Sequence, residues 1–85
     1  MIRLHPHAKA RIEERGASEA EVVETILSGE RFEANFDRTG FRLDFGGPYR
    51  RRGKTFDTKR IEAYAVFEDG DWLVITVIVK FWSMS

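Results

Sequence analysis

Cysteine is absent from the sequence, which removes disulfides, thiolate metal sites and a cysteine nucleophile together and suits a reducing compartment. No apolar run approaches the length of a membrane span and the N-terminus lacks a signal-peptide pattern, so a cytoplasmic location and no membrane contact are expected. An excess of either charge is missing too: 14 basic residues face 14 acidic ones. The resulting pI of about 6.7 falls short of the value above about 9 usual for a domain that lives on nucleic acid. There is no phosphate-cradling glycine loop, no nucleophile motif with a Ser-His-Asp set and no zinc-finger spacing. No cofactor and no metal are therefore expected.

What remains is enough for one domain, residues 1–85, near the lower size limit for a self-sufficient core. Two Trp, two Tyr and seven Phe within a 42% hydrophobic chain argue against disorder. The charges that cancel overall are segregated along the chain. Residues 13–33 carry seven Glu against two Arg, and residues 50–60 carry six Lys or Arg against one Asp. Local potential matters more than the sum.

The segment Asp71–Trp82 is β-branched and aromatic almost throughout, with no Gly or Pro, and predicts the central strand of an antiparallel sheet. Its odd positions, Leu73, Ile75, Val77, Val79 and Phe81, are all apolar and are expected to face the core. Its even positions mix Trp72, Val74, Thr76, Ile78, Lys80 and Trp82 and are expected on a half-exposed face. Upstream, Pro6 opens a helix that stops at Gly16, and Met1–Leu4 is too short to assign. Ser18 with Glu21 forms a capping-box pattern ahead of a second helix, whose Val22, Val23, Ile26 and Leu27 give an apolar stripe that ends at Gly29. These two read as a helical hairpin or an angled pair.

From Glu30 the hydrophobic period changes to two. Phe32, Ala34 and Phe36, a turn at 37–40, and then Phe41, Leu43 and Phe45 predict a β-hairpin. Gly46-Gly47-Pro48 is expected to break the strand, leaving Tyr49–Gly53 as a basic loop. Ile61, Ala63, Ala65 and Phe67 alternate cleanly with Arg60, Glu62, Tyr64 and Val66. A three-residue loop, 68–70, aligns this apolar row with Leu73 and Ile75, and that register is expected. The fold class is thus α+β: an N-terminal helical hairpin packed on one face of a three- to four-stranded antiparallel sheet, in the order ααβββ or ααββββ.

That register leaves Arg60, Tyr64, Trp72, Lys80 and Trp82 together on the face away from the helices. Such a surface normally marks a contact site. It fits first a homodimer partner or the 49–59 loop as a cover, and second a groove for an RNA strand or a partner peptide. His7, Arg11 and Arg15 share one helical face, where phosphates or nearby carboxylates would favour them. Arg50, Arg51, Arg52 and Lys54 form the strongest basic run, either a phosphate-contacting loop or a solvated one.

The opening His5-Pro6-His7-Ala8, with Arg11, Glu14, Arg15 and Gly16, then Ser18 and Glu21, and later Val74-Ile75-Thr76-Val77, resembles a family of small bacterial and archaeal proteins known as domain-of-unknown-function family 4258. That family is similar in layout to the RelE/ParE-type toxins of toxin–antitoxin pairs. The resemblance implies an RNA-acting module or one bound by a cognate antitoxin; any enzyme would be a metal-independent endoribonuclease. On the resemblance His7, Arg11 and Lys80 are candidate catalytic residues. Arg15, Arg50, Arg51, Arg52, Lys54, Arg60, Tyr64, Trp72 and Trp82 are candidates for nucleic-acid or partner contact. The rival reading is a non-enzymatic module that forms a homodimer through Trp72, Trp82 and Tyr64.

Overall fold

The computed structural model describes residues 1–83. Seven elements follow in order: β1 (Ile2–Leu4), α1 (Pro6–Glu14), α2 (Glu19–Ser28), β2 (Glu30–Glu33), β3 (Thr39–Arg51), β4 (Lys54–Glu68) and β5 (Asp71–Trp82). The strands form one five-stranded sheet in the spatial order β1-β5-β4-β3-β2. The class is α+β, but the expected all-antiparallel sheet is wrong. The N-terminal lead-in is itself an edge strand, and β1 runs parallel to β5, with Ile2 opposite Trp72 and Leu4 opposite Val74.

This edge strand also explains why the helices are not the expected hairpin. β1 and β2 lie at opposite edges of the sheet, so α1 and α2 must carry the chain across its width. α1 lies on β5 and α2 lies across β3 and β4, and each helix packs on strands in preference to its neighbour. Their starts are locally encoded. His5 caps α1 through its Nδ1, which accepts the His7 N–H at 3.0 Å, and Pro6 occupies the first turn. Ser18 and Glu21 make the reciprocal capping box of α2. Ala8, Ile12, Val22 and Ile26 bury against Phe41, Ile61, Ala63, Ala65, Val74 and Val77. The alanines of β4 let the helices approach the sheet closely. Leu27 is 73% exposed, so the expected stripe of α2 is narrower than four residues.

The expected register at the last hairpin is also overturned. Asp69 and Gly70 form a two-residue turn with φ of 51° and 79°, and Phe67 pairs with Trp72. Two left-handed residues match the twist of the flanking strands better than a longer loop. The cost of that turn would be a misaligned core, and a bulge removes it. Tyr64 pairs with Thr76 but Ala65 pairs with Val74, leaving Ile75 as the extra residue. Val77 and Val79 therefore face the helices as expected, while Val74 and Trp72 replace Ile75 and Leu73 on that side. Trp72 packs edge-on to the buried Phe41 ring at 5.0 Å.

The basic loop is a strand pair. β3 continues through Gly46–Pro48 with a shift in register, and β4 begins at Lys54, across an Arg52-Gly53 turn with φ of 50° and 78°. Pairing of β4 with β5 extends to Thr58 opposite Trp82. The 47–57 hairpin thus projects as an arm, and the molecule is elongated, 42 × 23 × 21 Å.

Candidate functional site

Two surfaces gather the candidate residues: the sheet face away from the helices, and the arm. Across the sheet face run rungs of alternating charge. Arg60 makes two bonds to Asp44, at 2.7 and 3.1 Å, and lies 4.9 Å from the Trp82 ring centre. The hydrogen bond from Arg60 holds the Asp44 carboxyl below its ordinary range, against a smaller opposing effect of burial. Arg42 donates to Glu30 at 3.0 and 3.2 Å and lies over the Phe32 ring at 4.6 Å.

Glu62 stands at the centre of this face and is only 6% exposed. Its carboxylate accepts the Tyr64 hydroxyl at 3.1 Å, with Lys80 Nζ at 3.5 Å and Arg42 Nη1 at 3.9 Å. Burial, then the bond to Glu62, pushes the Tyr64 phenol above its ordinary pKa. Arg42, Arg60 and Lys80 are thus matched by Glu30, Asp44 and Glu62. A phosphate approaching this face meets cations already neutralised. The face also carries half-buried Leu73 and Ile75 and the exposed Ile78.

The helix side separates the other candidates. Arg11 pairs with Glu14 at 2.8 Å. Arg15 reaches the sheet and donates to the Val77 carbonyl at 2.6 Å, capping the edge of β5 beyond β1. His7 is exposed at the start of α1. Lys80 lies on the opposite face of the sheet, so the structure does not bring His7, Arg11 and Lys80 into one site. Trp72 is likewise parted from Tyr64 and Trp82 by the bulge.

In the arm, Arg51 folds inward. It donates to the Glu14 carbonyl at 3.4 Å and covers the Phe81 ring at 5.4 Å. Arg50, Arg52 and Lys54 are exposed, and none of them has a carboxylate partner among the described residues. Arg51, Arg52, Lys54, Phe56 and Phe81 line an open hollow of about 380 Å³ beside the tip.

The sequence reading passed over Lys59, Arg42 and Glu62. Lys59 is 4% exposed and donates to the Gly16 carbonyl at 3.1 Å and to Glu21 at 2.7 Å, under the Tyr49 ring. It had a signal: Lys59 is in phase with the apolar Ile61, Ala63 and Ala65, so its side chain must enter the helix side and find an anion there. Glu62 had none, because its two cationic partners, Arg42 and Lys80, come from neighbouring strands whose register decides who meets it. Among the described residues no group of three His, Cys, Asp or Glu side chains is placed to hold a metal ion, and no helix is long and apolar enough to cross a membrane.

Residues 4–79 match the domain of unknown function DUF4258. The chain belongs to this family. No curated protein and no solved structure matches it. The DUF4258 match runs from Leu4, the last residue of β1, through most of β5, so the crossing helices and the bulged last hairpin lie within the family's own span while Ile2 and Arg3 lie outside it. It stops short of Lys80 and Trp82.

Proposed function

We propose that this DUF4258 domain is an RNA-binding module that grips the phosphate backbone of a single strand with the tip of its β3–β4 arm. One observation carries the reading: Arg50, Arg52 and Lys54 lack carboxylate partners among the described residues, whereas every cation at the centre of the sheet face has one. Unpaired cations gain most from a phosphate, and Phe56 and Phe81 beside them offer ring faces to bases. A neutral chain with one basic tip binds locally and releases easily in salt. The toxin-type reading, which comes from the sequence resemblance alone, adds cellular RNA as the target and a cognate antitoxin as the restraint.

The test is fluorescence anisotropy with a labelled single-stranded RNA, for the native chain and for Arg50→Ala/Arg52→Ala/Lys54→Ala. Binding that collapses in the triple variant, with folding intact by circular dichroism, supports the reading; equal binding by both proteins contradicts it. Expression alone tests the toxin-type reading, which expects growth arrest that the triple variant relieves.

A second reading rests on the sheet face, where paired charges alternate with Leu73, Ile75 and Ile78. That texture suits a protein surface, either an antitoxin segment or a second copy. It expects a complex that persists in high salt, seen by sedimentation equilibrium, and broken by Ile78→Asp.

A further inference from the structure

Beside the Glu62 cluster, the same sheet face holds a second feature that neither the arm nor the paired charges explain. The loop between β2 and β3 is short and closed by its own backbone, with the Ala34 N–H donating to the Arg38 carbonyl at 3.1 Å. It holds Phe36 and Asp37 at φ of 62° and 57°, a conformation that a bulky side chain rarely adopts. The result is a phenyl ring 86% exposed to solvent. Below it lies a hollow of about 240 Å³ lined by Ala34, Asn35, Phe36, Arg38, Tyr64 and Thr76.

The lining has a chemistry of its own. Two rings, Phe36 and Tyr64, border it, and Tyr64 is fixed by its bond to Glu62 and by its edge-on contact with Phe32 at 6.0 Å. The amide of Asn35, the guanidinium of Arg38 and the hydroxyl of Thr76 make no side-chain hydrogen bond among the described residues. They differ in this from the charged groups at the centre of the same face, which are paired. The volume is below the roughly 300 Å³ at which pockets for drug-sized ligands begin, so it suits a single planar heterocycle. An amide presents a donor and an acceptor side by side, as the edge of a base requires.

We propose that this hollow is a stacking site for one nucleobase, with Phe36 and Tyr64 as ring partners and Asn35, Arg38 and Thr76 meeting the base edge and its sugar-phosphate. The inference rests on the RNA-binding reading, and adds a base-contacting subsite on the sheet face to the phosphate-contacting tip of the arm. Phe36 is the residue to change, because its exposed ring supports nothing in the core.

Two measurements test it. Amide chemical shifts are followed as adenosine monophosphate, uridine monophosphate or inorganic phosphate is added to the native chain. The nucleotides are expected to move residues 34–38 and Thr76, and phosphate alone is not. Anisotropy then compares Phe36→Ala with the native chain on a single-stranded RNA and on an abasic strand of the same length. Loss of one stacked base predicts an affinity drop of about tenfold to a hundredfold on the RNA and none on the abasic strand. No nucleotide shifts at 34–38, or an equal effect of Phe36→Ala on both strands, would overturn the subsite. If nucleotides move the loop while the arm variant binds RNA normally, the subsite stands and the arm reading falls; if RNA binding needs the arm but not Phe36, the reverse holds.

Discussion

Lys59 Nζ lies 2.7 Å from Glu21 Oε1, the same oxygen that accepts the Ser18 N–H at the start of α2. With its second bond to the Gly16 carbonyl, this one ammonium joins β4 to the end of α1 and the beginning of α2. The helices share few contacts with each other, so their relative placement depends on such ties to the sheet.

Removing the ammonium strands Glu21 beside a buried wall. Lys59→Ala is expected to destabilise the fold by about 2–4 kcal/mol, the range for breaking a buried pair from one side, reduced because Glu21 keeps some access to water. Lys59→Met, which retains the stem, is expected to cost less. Urea unfolding of both variants, of Glu21→Gln and of the double variant Lys59→Met/Glu21→Gln, read as a double-mutant cycle, checks whether the loss belongs to the pair.

The Asp44–Arg60 pair fixes a sign for the acid limb of stability. The Asp44 pKa is lowered in the folded state from 3.8, so its contribution is full above that value and is lost as pH falls through the folded one. Both side chains are about a third or more exposed to solvent, so screening keeps the effect below about 1 kcal/mol. Asp44→Asn is expected to flatten the fall in Tm on acidification, measured by thermal melts at a series of pH values.

Tyr64 gives the opposite limb. Its pKa is raised above 10.0 in the fold, so its contribution is full below the unfolded value and disappears as pH climbs through the folded one. Burial also raises the Tyr49 pKa, so ultraviolet titration is expected to show two late-ionising tyrosines, one of which vanishes in Tyr64→Phe. Glu62→Gln should bring that ionisation earlier, since the carboxylate is one of the causes that delay it.

Gly40 makes room for a ring. A methyl group there would come within 2.3 Å of the Phe32 side chain, and Phe32 in turn holds Arg42 and meets Tyr64. Gly40→Ala is expected to cost about 1–3 kcal/mol through overpacking and to change the near-ultraviolet circular dichroism of the tyrosines. An unchanged melting curve would show that Phe32 can move away freely.

Much of this fold was legible in sequence because local chemistry states it. Pro6, Ser18 with Glu21, and the period-two rows of β4 announce their elements without help. Three features escaped for one shared reason: pairing between strands, not the composition of one segment, decided them. Three residues, Ile2–Leu4, become a strand only because β5 offers an edge. The three-residue loop at 68–70 follows from aligning the core rows alone, whereas a bulge at Ile75 lets a two-residue turn align them as well. The basic run of the arm read as a loop because Gly and Pro dominate its entry, yet β4 supplies a partner along its length. The candidate sites follow the same division. Arg50, Arg52 and Lys54 were visible as a run, while the Glu62 cluster assembles from three strands.

The central claim is that free charge sits at the arm tip and paired charge sits at the centre of the sheet face. The most direct test is the salt dependence of RNA affinity for the native chain, for Arg50→Ala/Arg52→Ala/Lys54→Ala and for Asp44→Ala/Arg60→Ala. For a single strand each lost phosphate contact reduces the slope of log affinity against log salt by about 0.7. The account predicts a slope shallower by about 2 in the arm variant and unchanged in the face variant; a native slope in the arm variant, with a shallower one in the face variant, would contradict it.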